Sequence, residues 1–471
     1  MLTDVMTEAL RAHGDRPAVA DRHTTLGYRE LDRAGSEQAT ALRALLPAGD
    51  RPRVGIRAGN SVAYLVTYLA VLKAGAVPFL IDRAAGPQET AVIQEDCGLD
   101  LLVHEEDAPG AVLGPLLLSR FTARRERPDL HDDTEVCRFT SGSTGRPSCI
   151  EFRGRAVRQA AANWAEGTGL SGADTILCFA SLSNGLAFNT SLLSAFLVGA
   201  RLHLGSGLPT AGAVTRMLAD SGATRLVGFP ALYESLVRRP ADPGAHRHLR
   251  VAVSSAAPLR PETKKEFVER TGVPLQNYFG VAEAGPLTFA ADPLTDPGLG
   301  RPLPGVRLRA GTPGEPGAVE VRSESMGTRY LNAPGVLEGR TGADGYYRTG
   351  DLGYLADGSL VLTGRSSQVI NVGGRKVDAV EVAEALRAAE GVRDAVVLEV
   401  PDRHGDATLA AVLVADPGLD PAGPRRHLAA TLAAYKTPSL MRVVPEIPRG
   451  STGKPLTAAL RRLFDTPQDT E

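Results

Sequence analysis

The chain has 471 residues, 43% of them hydrophobic, and a net charge of −2; it is too long for one ordinary core, and its charge balance gives no electrostatic footprint for nucleic acid. Cys97, Cys137, Cys149 and Cys178 lack CxxC spacing and a nearby His pair, which argues against zinc and against a disulfide framework. The N-terminal MLTDVMTEALRAHGDR carries acids where an export signal needs a basic region and an apolar run, so a cytoplasmic protein with reduced thiols is expected.

In chain order, LGYRELDRAGSEQATALRAL predicts an amphipathic helix and RVGIRAG a strand. Val62 to Ile81, with Lys73 as its one charge, has the composition of a membrane span. Gly75 and Pro78 divide it into a helix capped near Asn60-Ser61 and a strand, AVPFLI, so it reads as core and no membrane partner is expected. After the loop at 139–152 come a helix from Arg155 to Glu166, strand TILCFASLS, the segment SNGLAFNTSLLSAFLVGA, strand RLHL, helix AVTRMLADSGA, and strands RLVGFP and RVAVSSAAP. Alternation of this kind predicts an α/β domain of layered parallel sheets, with a ligand at the carboxyl ends of the strands. From Asp292 to Gly364 short alternating runs between Pro and Gly predict an antiparallel β region. Beyond Gly364 a strand, helix VEVAEALRAAEG, strands DAVVLEV and TLAAVLVAD, helix PRRHLAATLAAY and strand LMRVVPEIP predict a small α+β domain.

The loop FTSGSTGRPSCIEF, Phe139 to Phe152, carries the most chemical information. Gly142 and Gly145 can take positive φ, so successive amides converge on an oxyanion, and Thr140, Ser141, Ser143 and Thr144 add hydroxyl donors. Taken alone it reads equally as a solvated Gly/Ser turn. It is not a Walker loop, because Ser148 follows Arg146-Pro147 and the loop brings no lysine. Further signals are Phe279-Gly280 with Glu283, Asp351 in YRTGDLG, Arg365 in GRSSQVINVGGRKV, and Lys454 in PRGSTGKP. Each alone is an ordinary surface or turn residue. Together they describe a nucleotide site: an aromatic face, a close-approach glycine, carboxylates for ribose and Mg²⁺, an N–H cradle and a cation.

With LGYRELD, LKAGAVPFLID, FTSGSTGRP, NYFGVAE, GRPLPGV, YRTGD, GRSSQVINVGGRKV and STGK in that order, the chain resembles the adenylate-forming superfamily of acyl-CoA synthetases, peptide-synthetase adenylation domains and luciferases. The resemblance implies a large adenylating domain at 1–364, a small mobile domain at 365–471 carrying the catalytic lysine, and a hinge at Ser367. It implies that an acid carboxylate attacks the α-phosphate of ATP bound with Mg²⁺, and that a thiol of coenzyme A or of a carrier protein's phosphopantetheine then takes the acyl group. Carried over by position, Thr140, Ser141, Gly142, Ser143, Thr144 and Gly145 hold phosphates, with Thr144 also catalytic. Phe279 and Gly280 meet adenine, Glu283 binds Mg²⁺ and is catalytic, and Asp351 and Arg365 hold the ribose. Lys454 bridges carboxylate and α-phosphate, and Asn184 and Gly280 line the acid site. The chain departs from the family pattern at Ser148, Ala282, Ser367 and Asn184.

The family's position for the aspartate that pairs with an α-ammonium falls on Leu186, which argues against an α-amino acid, since an unpaired buried charge is expensive. Asn184 falls where hydroxybenzoate-activating relatives have asparagine, so a small aryl acid is expected; its amide is also free to be a satisfied loop group. Three functions stand: a free-standing acid–thiol ligase, with any carrier a separate protein; an adenylate-forming enzyme with a non-thiol acceptor, either an amide synthetase or a nitrite-activating diazotase acting on an aryl amine; and a nucleotide-binding relative without turnover. The joint presence of Lys454, Glu283 and Asp351 speaks against the last.

Overall fold

The computed structural model describes residues 2–464 apart from 48–50, 106–110, 122–126, 141–146, 207–209, 240–242, 257–258, 366–368, 373–374, 402–406, 433–435 and 451–452. The chain divides into two compact units. The first comprises Met1–Leu308, Glu320–Tyr347 and Asp357–Leu360, and the second Arg309–Val319, Arg348–Ala356 and Val361–Glu471.

The first unit is built on two sheets. In one, Leu275–Asn277, Val251–Ser254, Arg225–Gly228, Thr175–Cys178, Arg201–Leu204 and Pro17–Ala20 run parallel in that order, and Thr25–Gly27 closes the edge antiparallel. These strands are short Val/Leu/Ile runs because helices cover the sheet: Leu177, Leu226, Ala252 and Leu275 pack with Val214 and Leu218 of helix Ala211–Ser221 and Phe267 of helix Pro261–Thr271. In the other sheet Thr134–Thr140, Val77–Leu80, Arg53–Arg57 and Leu101–His104 are parallel. Antiparallel strands Ser148–Arg153 and Arg329–Tyr330 extend one side of it, and Leu116–Arg120 and Ala111–Leu113 the other.

The apolar stretch after Asn60 folds as read. Ser61 Oγ accepts the Tyr64 N–H at 3.1 Å, helix Val62–Lys73 follows, Gly75 turns with φ 78°, and strand Val77–Leu80 enters the sheet. No helix among the described residues is long and apolar enough to cross a membrane. The sequence reading passed over helices Leu2–His13, Pro87–Cys97 and Pro261–Thr271. The last buries only Thr263 and Phe267, so its apolar period is faint, and Pro in its first turn was the better signal. Pro230 likewise opens helix Pro230–Val237, so the expected strand RLVGFP, which includes Pro230, stops at Gly228. The unassigned segment after Asn184 is helical from Gly185 to Val198, with a wide π turn over Phe188–Leu193.

In the second unit, antiparallel strands Val392–Pro401 and Ala407–Ala415 are joined by Leu440–Val443, parallel to the latter. Alternation buries both faces. Leu409, Ala411 and Leu413 pack under helices Ala379–Arg387 and Gly423–Thr431 through Val382, Leu386 and Leu428, while Ala410, Val412 and Val414 meet Ile447 and Leu460.

One buried carboxylate ties the edge of the second sheet. Glu151, its side chain fully buried, accepts from the His131 N–H at 2.8 Å, His131 Nδ1 at 3.0 Å, Thr134 Oγ1 and Arg329 Nε at 2.7 Å. Burial pushes its acidity down, but these donors outweigh burial and hold the carboxyl below its ordinary range. A depressed native pKa gives stability that is complete above the unfolded value, near 4.3, and is lost as pH falls through the native one. Glu151→Gln is therefore expected to lower stability at pH 7 by about 3 kcal/mol, as for one partner taken from a buried pair, and to flatten the loss of stability below about pH 4. Urea unfolding at pH 7 and pH 3.5 checks both.

Candidate active site

Strand Thr134–Thr140 pairs antiparallel with Ser148–Arg153 from Thr134 against Arg153 to Thr140 against Ser148. The glycine-rich loop is thus the connection of a hairpin whose first strand belongs to the parallel part of its sheet, which places Thr140 at a carboxyl edge. Thr140 is half-buried; Ser141, Gly142, Ser143, Thr144 and Gly145 lie outside the described residues, as does the hinge position Ser367.

The segment after Asn277 forms a second tight feature. Phe279 is 6% exposed, donates its N–H to Thr288 Oγ1 at 3.0 Å and accepts at its carbonyl from Leu287 and Thr288. Gly280 pairs with Pro286, and a Cβ there would meet Gly285 O at 2.7 Å, so the hairpin itself demands glycine at 280. Tyr278 packs on Trp164, ring centroids 4.9 Å apart. Ala282 is exposed and Glu283 half-buried.

Glu283 is held by partners that the sequence reading did not identify. Its Oε1 accepts from Tyr330 OH at 2.5 Å and Tyr347 OH at 2.8 Å. Burial, then the adjacent carboxylate, raise both phenols above their usual range, so they remain donors at any physiological pH. Arg340 beside Tyr347 is itself raised by that contact. Oε2 takes no hydrogen bond from the described residues. One oriented carboxylate with a free oxygen fits Mg²⁺, a hard cation that keeps waters and phosphate oxygens as its other ligands.

Three segments meet at Arg138, on the same face of its strand as Thr140 and two residues before it. Its Nη2 reaches Ala282 O at 3.4 Å, next to Glu283, and a Cβ on Gly185, next to Asn184, would lie 2.7 Å from its Nη1. The guanidinium lies over Phe152 and Phe188, 4.2 and 5.2 Å from the ring centroids. The strand before the glycine-rich loop, the segment ending in Glu283 and the Asn184 helix are thereby brought together. Asn184 spends its Oδ1 on the Leu186 N–H at 2.9 Å as helix cap, leaving its amide N–H groups to offer a ligand.

The remaining expected residues belong to the second unit. Asp351 is 4% exposed in strand Tyr347–Ala356, with its N–H on Thr349 Oγ1 at 3.1 Å. Arg365 ends strand Ser359–Arg365. Lys454 is exposed on a turn in which the Gly450 N–H reaches Lys454 O at 2.8 Å and Gly453 takes φ 79°. Arg449 braces that turn, donating to Gly453 O at 2.8 Å and to Asp394 Oδ2 at 2.6 Å.

The phenol clamp was invisible because Tyr330 and Tyr347 lie 47 and 64 residues from Glu283. Arg138 had a usable signal, a cation inside the strand sequence TEVCRFT.

The family described as AMP-binding enzyme matches residues 6–331, and the AMP-binding enzyme C-terminal domain matches 381–454. A 3-hydroxybenzoate–CoA/4-hydroxybenzoate–CoA ligase of Thauera aromatica is 26% identical over 96% of this chain and 94% of its own. An anthranilate–CoA ligase of Pseudomonas aeruginosa is 29% identical over 91% of this chain and 90% of its own. Among solved structures, ATP-bound MatB from Rhodopseudomonas palustris superposes with TM-score 0.82 at 22% identity, covering 98% of this chain and 99% of that one.

Removing both phenols, Tyr330→Phe with Tyr347→Phe, leaves Glu283 free to swing. Loss of groups that orient a metal ligand lowers metal affinity by about 10- to 100-fold. Calorimetric titration of Mg²⁺ in the presence of ATP should show that weakening, with circular dichroism unchanged.

Proposed function

We propose, from the premise that this chain belongs to the AMP-binding enzyme family, that it is an ATP-dependent ligase joining a small aryl carboxylic acid to AMP, with release of pyrophosphate, and passing the acyl group to the thiol of coenzyme A. The observation that carries the reading is the meeting at Arg138 of the phosphate-loop strand, the segment ending in Glu283 and the Asn184 helix. Relatives whose names specify hydroxybenzoates and anthranilate, both aryl acids, support the substrate class.

The loop after Thr140 holds the triphosphate on backbone N–H groups and hydroxyls, its two ends pinned by the strand pair. Glu283, oriented by Tyr330 and Tyr347, holds Mg²⁺, which when bound neutralises phosphate oxygens. Phe279 lies on adenine, and Asp351 with Arg365 holds the ribose. Asn184 donates to an oxygen of the acid. The carboxylate then displaces pyrophosphate in line at the α-phosphorus, and Lys454 supplies the cation where negative charge concentrates, worth about 3–4 kcal/mol for one preorganised donor. Residues 1–364 form the adenylating core and 365–471 a mobile domain that turns about Ser367 between the two half-reactions. The enzyme works in the cytoplasm, where ATP and coenzyme A are supplied; the thiol of a separate carrier protein is the alternative acceptor.

Pyrophosphate exchange against benzoates, hydroxybenzoates, cinnamates and aliphatic acids tests the reading, and turnover of aliphatic acids alone would sink the aryl assignment. Lys454→Ala is expected to lower exchange about 100- to 1000-fold while ATP still binds. Unchanged exchange in that variant would remove Lys454 from the mechanism.

A further inference from the structure

Arg138 is 5% exposed and no carboxylate of the described residues lies within 4.0 Å of its guanidinium; the Glu283 carboxylate acts on it only from beyond ion-pair distance, whereas buried guanidinium groups ordinarily have an anionic partner in contact. Its polar contact is the long one to Ala282 O, and Nε has no hydrogen-bond partner. The two phenylalanine faces offset part of the cost of burying the charge, yet they leave its N–H groups unused. Burial pushes its pKa down to about 10, so the group is still a cation at neutral pH.

Two further buried polar atoms near it are also unpartnered. Asn189 is 1% exposed with Nδ2 unpaired, and Tyr68 is fully buried with its hydroxyl unpaired. Arg138 Nη1 and Asn189 Nδ2 lie 2.7 and 3.8 Å from one point, the place a Gly185 Cβ would occupy. Tyr68 stacks edge-on against Phe188, the ring that Arg138 covers, with centroids 5.8 Å apart. A guanidinium, an amide NH₂ and a phenol all donate, and a cluster of unused donors around a buried cation is matched by an acceptor with negative charge. The fork of a guanidinium fits two coplanar oxygens.

We propose that Arg138, Asn189 and Tyr68 form an anion-holding subsite of the acid pocket, which selects a substrate bringing a planar two-oxygen anion that an ordinary monocarboxylic acid does not supply. The inference rests on the functional reading above. For a carboxylic acid, the group being adenylated is already served by Lys454 and Asn184 in that reading, which leaves Arg138 for a second carboxylate; nitrite, in place of an acid, presents its one anion to Arg138 itself. That anion has two sources with the same chemistry: a second carboxylate on the acid, or nitrite seated whole in place of an acid.

The test is pyrophosphate exchange by wild type, Arg138→Met and Arg138→Lys with benzoate, the three benzenedicarboxylates and nitrite. The expected result is that the kcat/KM of one dicarboxylate or of nitrite, taken relative to benzoate, falls about 30- to 100-fold in the methionine variant and less in the lysine variant, as for loss of a charge-assisted bond. A fall confined to the dicarboxylate identifies the second carboxylate as the source, and one confined to nitrite identifies the free anion. Equal changes for every acid, or no change, overturn the proposal. Thermal unfolding gives an independent readout: ligand-free Arg138→Met should melt above wild type, because a buried cation with no carboxylate in contact with it has been removed. The favoured anion should raise the melting temperature of wild type and not of the variant. Absence of exchange with any acid would refute the ligase reading, whereas an anion shift lost in Arg138→Met would still support the subsite, and its absence would refute the subsite as well.

Discussion

A buried positive charge at Arg138 is the constraint around which three segments of the first unit are arranged. The guanidinium stands on the strand that leads into the glycine-rich loop, lies over a ring from the returning strand and a ring from the helical segment after Asn184, and touches the carbonyl beside Glu283. Such a group cannot be left in an apolar layer without cost. The surroundings accept it through aromatic faces and through glycine at 185, where any side chain would collide with Nη1. One residue therefore fixes the spacing of three segments that lie far apart in the chain.

The same economy holds at Glu283. A carboxylate on a turn between short strands would be mobile, yet two phenols from strands Arg329–Tyr330 and Tyr347–Ala356 hold one of its oxygens and leave the other without a hydrogen bond from the described residues. Strand Arg329–Tyr330 is in turn fixed to Ser148–Arg153, and Glu151 of that strand binds Arg329. The buried ion cluster at Glu151 and the Glu283 carboxylate are thus connected through one two-residue strand, so stability at the sheet edge and the orientation of Glu283 depend on the same backbone.

Within the second unit the exposed Lys454 depends on a different device. Its turn is closed by a backbone bond and braced by Arg449 on Asp394, which Arg387 also approaches at 3.3 Å.

What the amino-acid sequence determined alone was whatever rests on local rules. Short Val/Leu/Ile runs alternating with amphipathic stretches specify parallel sheets, and Ser61 and Gly75 bound a helix. Motif order made the family legible because each motif is a contiguous string whose backbone requirements survive without neighbours. Tertiary structure alone decided what surrounds each charge. Whether Glu283 is oriented and what lies against the Arg138 guanidinium depend on atoms tens to more than a hundred residues away, and no periodicity records them. The energy of a buried charge or donor is set by its partners in space, which come into being only when the chain has folded.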